Sequence, residues 1–389
     1  MSVSAITKDD EGPELSDPKL VGGQRLRVAI VTESFLPLVN GVTNSVLRSC
    51  EQLDARGHEV LVIAPGEGPQ RFGSAAVLRT PSVAMPGYRE FRLGRPWGGL
   101  ERALREFRPD VVHLASPAVL GAQAGFAARR LGAAAVAVYQ TDLAGFAGRY
   151  GLRVAEGAVW RWLRHVHGTA QRNLAPSRWA VEQLRRNGIQ RVAHWPRGVD
   201  AERFNPRHRD LSLRDRLAPN GSLLVGYVGR LAHEKEIELL TGVARDPRVR
   251  LVIVGDGPHR THLMRLMPHA TFLGFLGGQQ LSTVFASLDV FVHPGSHETF
   301  CQAAQEALAS GIPVVGPASA GLLDLVTPGE TGYLFRPGSP ESLHERVQLL
   351  AEDRTREAMG LAARRSVADR SWDAIGEQLV GHYREAINT

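Results

Sequence analysis

Glu298 and Glu306 stand eight residues apart around a loop rich in glycine, serine and histidine, Pro294-Gly295-Ser296-His297. On one helix axis that spacing is ~12 Å at ~1.5 Å per residue. The short apolar run Val290–Val292 predicts a strand leading into the loop, and a helix is predicted from near Thr299 to the stop at Ser310-Gly311. A helix N-terminus offers free N–H groups and the positive end of a dipole, so it favours an anion. A diphosphate bound there would have one carboxylate for the hydroxyls of a sugar and another for those of a ribose. That is the outline of a sugar-nucleotide site.

A second group supplies positive charge. Leu223–Val228 predicts a buried strand, and Gly229-Arg230-Leu231 follows it, with Lys235 five residues after Arg230. Arginine forks onto phosphate oxygens and lysine adds a compact charge, so the pair reads as a phosphate clamp at a strand-to-helix turn. Lys235 is one of only three lysines, with Lys8 and Lys19, in a chain that otherwise uses arginine. The chain contains no D-x-D pair. Arg230, Lys235 and the helix N-terminus are therefore expected to neutralise a leaving diphosphate without a catalytic metal, and no cofactor beyond the donor is expected.

The elements that must position these groups alternate strand and helix. Arg27–Val31 and Val60–Ile63 are buried-strand runs separated by an amphipathic helix from Thr43 to Ala55, which starts a doubly wound sheet. The first loop carries Asn40-Gly41 in place of a G-x-G-x-x-G fingerprint, which argues against a dinucleotide-dependent dehydrogenase. Strands at Val111–Leu114 and Ala135–Tyr139 end in polar residues where open α/β sheets hold ligands. Asp142 is a candidate for contact with a sugar or acceptor hydroxyl, or else a helix N-cap. His113 reads as a core histidine. A basic helix is predicted from Trp160 to Arg172, and the segment 83–99 mixes arginines, aromatics and glycines; each could meet an anionic headgroup or serve as an ordinary solvated element.

The chain has 389 residues, enough for two domains, and 43% hydrophobic residues, enough for two cores. No apolar run is long enough for a transmembrane helix, and the polar N-terminus lacks signal-peptide character. Cys50 and Cys301 are the only cysteines, match no metal-ligand spacing, and suggest a reducing compartment. The net charge of +6 permits anionic partners, yet no nucleic-acid module is present, and no nucleic-acid partner is expected. The expected division is a disordered tail 1–24, an acceptor-side Rossmann-like domain 25–200, a linker 201–221 and a donor-binding Rossmann-like domain 222–368. A helix 369–389 is expected to cross back to the first domain.

Several stretches carry a resemblance to a known family. HPGSHETFCQAAQEALASGIPVV, GRLAHEKEIELL, GDGP, GETGYLF and the interdomain passage LAPSRWAVEQLRRNG…RGVDAERFNP resemble the retaining family-4 glycosyltransferases, over residues 27–383. The resemblance implies an α/β protein of GT-B fold, two Rossmann-like domains flanking a cleft. It implies that Arg230 and Lys235 bind the donor diphosphate, that Glu298 holds sugar hydroxyls and Glu306 the ribose, and that Gly41, Gly229, Phe300 and Cys301 lie against the donor. Gly274 and Phe275 would flank the base, held largely by backbone groups. Family members often read H-x-H-x-P near the transferred sugar; here the second histidine is Ala115. VYQTDLAGFAGRYG and HLASP look most like bacterial mannosyltransferases that use GDP-mannose on glycolipid acceptors. The implied reaction is metal-independent hexosyl transfer with retention, in which a donor phosphate oxygen takes the acceptor proton. The expected partners are GDP-mannose, a carbohydrate or glycolipid acceptor, and an anionic membrane touched peripherally from the cytoplasmic side. A UDP-sugar donor, or a non-catalytic sugar-nucleotide-binding protein, are the alternatives.

Overall fold

The computed structural model describes residues 24–85, 88–142, 145 and 153–389. The tail 1–23, part of the 83–99 segment and most of the GFAGRYG stretch lie outside the described residues.

Two parallel sheets organise the chain. The first runs Val192–His194, Arg172–Ala175, Ala134–Val138, Val111–Leu114, Arg27–Val31, Glu59–Pro65, Ala75–Thr80, and closes on the antiparallel edge strand Arg71–Phe72. The second runs Thr271–Gly274, Val249–Val254, Leu223–Val228, Val290–Val292, Val314–Pro317, Gly332–Phe335, all parallel. Their central strands, such as VVHL and LLVGYV, are buried along their whole length, as continuous apolar runs covered by helices on both faces must be. Each sheet has its own core: Val28, Ile30, Val62 and Val136 in the first, Leu224, Val252, Phe291 and Val314 in the second.

Residues 201–221, expected as a linker, carry secondary structure of their own. They contain a 3₁₀ turn at Pro206–His208 and a helix at Leu211–Leu217. Leu213 and Leu217 pack on the second core, while Arg209 and Arg214 both reach the buried carboxylate of Asp289, at 3.0 and 2.9 Å. Two arginines of this polar stretch thus hold one buried acid.

The chain passes between the two units twice, at neighbouring points. Val199 donates its N–H to the Arg370 carbonyl at 2.8 Å, and Val199 bridges to Ser371. Ser371 then caps a helix, Trp372–Ile387, through its Oγ. Ile375, Leu379 and Tyr383 recur at intervals of four and bury one stripe of that helix in the first core, beside Val46 and Leu53 of the helix Gly41–Ala55. His113 is fully buried there, with its Nδ1 2.5 Å from the Tyr383 hydroxyl. Burial and the nearby Arg197 charge push the His113 pKa down to about 3. A neutral imidazole fixed by a tyrosine belongs to the packing between the C-terminal helix and the sheet.

The helix predicted from Trp160 to Arg172 is Arg153–His167, and Arg172 opens a strand. The helix predicted from Thr299 begins only at Gln302. Thr299 donates its hydroxyl to the Gln140 carbonyl at 2.9 Å, and the Glu298 carbonyl accepts the Gly321 N–H at 2.8 Å. These bonds hold 298–300 outside the helix. A Cβ on Gly321 would sit 2.8 Å from the Thr299 carbonyl oxygen, so this close backbone approach requires glycine.

Candidate active site

The strands Leu223–Val228 and Val290–Val292 are hydrogen-bonded neighbours, so the loops leaving their C-terminal ends must meet. Between them they bring together Lys235, His293 and Glu298, and Arg230 lies on the first of the two loops. The Lys235 ammonium is in direct contact with Glu298 Oε1. The same oxygen lies 3.1 Å from His293 Nε2. One carboxylate thus sits between two cationic groups, all largely withdrawn from water. Burial opposes ionisation of Glu298, but Lys235 and His293 outweigh it and hold the carboxyl well below the usual range. Burial also opposes charge on His293; the Cys301 sulfur and the Glu298 carboxylate outweigh it and lift the imidazole to about 9. The ammonium of Lys235 is raised in the same way, burial being outweighed chiefly by Glu298.

The loops are tied to each other independently of this charge cluster. Tyr227 is fully buried, lies nearly parallel to the His293 ring at 6.0 Å between centroids, and donates its hydroxyl to the Arg230 carbonyl at 3.0 Å. Glu236 accepts from the Ser296 N–H and hydroxyl at 2.9 and 2.7 Å. The Gly255-Asp256-Gly257 turn backs directly onto Gly229–Leu231: a Cβ on Gly255, at φ +130°, would lie 1.9 Å from the Gly229 carbonyl oxygen. Arg230 lies 3.6 Å from Glu234 across one turn of the loop.

Glu306 is reached differently. Three of the seven residues between it and Glu298 lie before the helix, so the ~12 Å axial spacing does not apply. Glu306 is half-buried in the helix Gln302–Ala309 and stands beside Arg203, Arg48 and Asp200. Burial raises its pKa to about 7, against the pull of Arg203, of a hydrogen bond from Gln302 and of Arg48. Arg48 comes from the first unit, so Glu306 faces the cleft between the sheets. The same helix is fastened to the crossing strand: Gln305 and Gln302 donate to the carbonyls of Arg197 and Gly198 at 2.9 and 3.1 Å.

The remaining sequence candidates occupy distinct places. Cys301 is buried at the N-cap position, and Phe300 is half-buried beside it. Gly274 closes its strand at φ +71° with open space at its Cβ position, and Phe275 beside it is 73% exposed. Gly41 opens the helix Gly41–Ala55, where Asn40 Oδ1 accepts from the N–H groups of Val42 and Thr43 at 3.0 and 2.9 Å. Asn40 thus takes up amides that could otherwise face an anion.

Asp142 Oδ1 accepts from the Gly145 N–H at 2.9 Å and the Tyr139 hydroxyl at 3.1 Å. It serves as a turn cap and lines a separate cavity of about 330 Å³ with Glu156, Trp160, Trp179 and Gln183. At Ala115 the converging groups are Gln140 and Arg197. Gln140 donates to the Ala115 carbonyl at 2.9 Å, and Arg197 donates to Gln140 Oε1 and to Ser45 Oγ. Arg197 is buried, both of these side-chain partners are neutral, and burial pushes its pKa down to about 10.

Sequence reasoning missed His293 and Arg197. His293 was legible in principle, since it ends the same strand that delivers Glu298. Arg197 had no local signal, because its partners lie 57 and 152 residues away. Among the described residues one group could hold a metal ion, His233, Glu238 and His259, outside the Lys235–His293–Glu298 cluster.

Comparison with known proteins identifies the family. Residues 39–203 match the family described as Glycosyltransferase Family 4, and residues 209–366 match Glycosyl transferases group 1. The chain is 52% identical to a GDP-mannose-dependent alpha-mannosyltransferase of Mycobacterium tuberculosis, over 92% of this chain and 96% of that one. It is 29% identical, over 88% and 92%, to a GDP-mannose-dependent alpha-(1-6)-phosphatidylinositol dimannoside mannosyltransferase of the same organism. Among solved structures, Anabaena Alr3699/HepE in complex with UDP-glucose superposes with a TM-score of 0.76 at 18% identity, covering 92% of this chain and all of that one. The chain belongs to glycosyltransferase family 4 and is a hexosyltransferase of the GT-B fold.

Proposed function

We propose that the protein transfers mannose from GDP-mannose, with retention and without a catalytic metal, to a hydroxyl of a glycolipid. The observation that carries the donor site is the contact of Lys235 and His293 with one oxygen of Glu298. The donor diphosphate binds at Arg230 and Lys235, and the dipole and free amides at the Gln302 helix start add to their charge. Glu298 takes hydroxyls of the sugar. His293 is charged at neutral pH and keeps that carboxylate ionised while Lys235 turns to the phosphate. As the bond from the anomeric carbon to the diphosphate breaks, negative charge grows on oxygens already faced by fixed cations, the condition under which electrostatic stabilisation is strongest. A phosphate oxygen accepts the proton of the incoming hydroxyl on the same face. Glu306 takes the ribose hydroxyls in its ionised form.

Arg197 and Gln140 stand in for the sugar-side histidine that Ala115 replaces. A buried cation held by neutral groups has charge left to direct at a hydroxyl or an anionic group in the cleft. The cavity lined by Asp142, Trp160 and Trp179 offers two indole faces and two carboxylates to an acceptor sugar. On the helix Arg153–His167 the exposed face carries Arg161, Trp162, Arg164 and His165, and indole with arginine suits a lipid–water interface. No helix among the described residues is long and apolar enough to cross a membrane, and the contact with lipid in this reading is peripheral. The names of the mannosyltransferase relatives support the choice of donor and a lipid-linked acceptor.

The test is binding and slow hydrolysis of GDP-mannose, UDP-glucose and UDP-N-acetylglucosamine in the presence of a chelator, for the parent and Glu306→Ala. Selective binding and hydrolysis of GDP-mannose, lost in the variant, is the expected result. Preference for a UDP-sugar would overturn the donor assignment, and no binding of any of the three would overturn the site.

A further inference from the structure

Beside the phosphate-binding loop lies a cluster that transfer chemistry does not use. The segment after Leu223–Val228 turns twice through short 3₁₀ helices, His233–Lys235 and Ile237–Leu240. The turn after Val249–Val254 is bonded to it by two backbone contacts: Leu231 N–H to the Asp256 carbonyl and His259 N–H to the Leu231 carbonyl, both 2.9 Å. These bonds set His233, Glu238 and His259 around one point, with a ligand atom from each lying within 4.8 Å of the others. His259 Nδ1 is 3.3 Å from Glu238 Oε1, and the rings of His233 and His259 are 5.5 Å apart between centroids. His262, on the following helix, is exposed with its ring 6.0 Å from that of His259.

We propose that His233, Glu238 and His259 bind one divalent transition-metal ion of the zinc class. Two imidazoles and a carboxylate form a donor set suited to such an ion, whereas magnesium and calcium prefer oxygen alone. Ligands at ~2.0–2.2 Å from a tetrahedral centre must draw closer than 4.8 Å. The side chains can do this by rotation, since His233 is exposed and the other two are about one-third exposed. A Glu238–His259 pair alone would account for the shorter contact and not for His233, which comes from a separate turn and faces the same point. The fourth position is open to water or to His262. An ion here would fasten the Lys235 turn, two residues from His233, to the Gly255–His259 turn. The proposal is independent of the donor and acceptor readings.

The experiment uses the full chain without a histidine tag, stripped of metal by a chelator, and titrates Zn²⁺ and Mg²⁺ separately by calorimetry and by thermal melting. The expected result is one Zn²⁺ bound per chain and a rise in melting temperature, neither reproduced by Mg²⁺. His233→Ala and His259→Ala should each weaken Zn²⁺ about tenfold or more, since even outer-shell losses reach that size. His344→Ala, a histidine paired with Asp246 elsewhere on the surface, should leave binding unchanged. Metal-free melting of His233→Ala should match the parent, which separates ligand loss from unfolding. Absence of a one-to-one site, equal binding of Mg²⁺, or one-to-one Zn²⁺ binding that survives the His233→Ala/His259→Ala double substitution would overturn the proposal.

Discussion

The two sides of the cleft are built on different physics. On the second unit, Lys235, His293 and Glu298 are drawn together by opposite charge at the ends of adjacent strands, with Tyr227 and Glu236 bracing the loops behind them. On the first unit, the polar side chains bind chiefly backbone groups, with Arg197 donating to the neutral Gln140 and Ser45: Gln140 binds Ala115, Asp142 binds Gly145, and Asn40 binds its own helix start. A site that must meet a constant diphosphate can be pre-assembled from fixed charge. A site that meets a particular acceptor is made from the local shape of loops.

If that contrast holds, the largest loss comes from the centre of the charge cluster. Glu298→Ala leaves Lys235 and His293 without their shared anion, and breaking a pair this withdrawn from water costs about 3–5 kcal/mol of stability. Glu298→Gln keeps the shape and restores part of the melting temperature, while transfer stays down about 10²–10³-fold, the scale set by losing one fixed electrostatic group. Full activity in Glu298→Gln would dissociate the carboxylate from catalysis. The pH profile sharpens the point. The folded pKa of His293 is raised to about 9 from an ordinary 6.5, so its contribution to stability is complete below about 6.5 and lost as pH rises through 9. The folded pKa of Glu298 is depressed, so its contribution is present above the ordinary 4.5 and lost as pH falls towards the depressed value. Chemical denaturation at intervals from acid to pH 10 checks both limbs, and Glu298→Gln should flatten each.

Arg230→Ala is expected to reduce transfer about 10²-fold. GDP-mannose affinity should fall with it, because the forked contact to phosphate acts in both ground and transition states. A loss confined to kcat would mean that Arg230 meets the diphosphate only as the bond breaks.

Glu306 gives a smaller effect with a distinctive sign. Burial raises its carboxyl to about 7, so in the free protein it is half-protonated near neutrality. Ribose hydroxyls donate to the ionised form, so GDP-mannose affinity rises as pH increases through about 7 and levels above it. Glu306→Gln should remove that rise. Its stability should also decline less than the parent's between pH 4.5 and 8, because a raised carboxyl pKa makes ionisation destabilising. Titration of donor binding from pH 5.5 to 8.5 checks the first claim; a parent curve flat across that range would remove the ribose role.

The same contrast explains what the sequence made legible. Both strand-and-loop halves of the proposed donor site are contiguous, so Arg230, Lys235, Glu298 and Glu306 could be picked from two short stretches and their strand-end placement inferred from apolar runs. The parallel sheets followed from the same runs, and the C-terminal helix could be read from the period of Ile375, Leu379 and Tyr383. The helix start slipped from Thr299 to Gln302 because tertiary bonds to Gln140 and Gly321 compete with the first turn. The order within 201–221 was not legible because Arg209 and Arg214, which both pair with the buried Asp289, look in sequence like solvated residues. Arg197 stayed hidden because its position is defined by Ser45 and Gln140, which only the fold brings near.

The mildest effect tests the acceptor side at its outer edge. Trp162 is 44% exposed on a helix whose visible face also carries Arg161 and Arg164. An indole can settle at the headgroup level of a bilayer, and each arginine near an anionic surface adds about 1 kcal/mol of attraction at moderate salt. Trp162→Ala with Arg161→Gln and Arg164→Gln should therefore cosediment less with vesicles containing an anionic phospholipid. Its behaviour with neutral vesicles, its melting temperature and its GDP-mannose affinity should stay close to the parent's, since none of the three side chains is in the core. Raising the salt should bring the parent down towards the variant, because the attraction decays within a Debye length. Equal recovery of parent and variant on anionic vesicles would move the membrane-facing surface elsewhere on the first unit, with the charge cluster on the second unit unaffected.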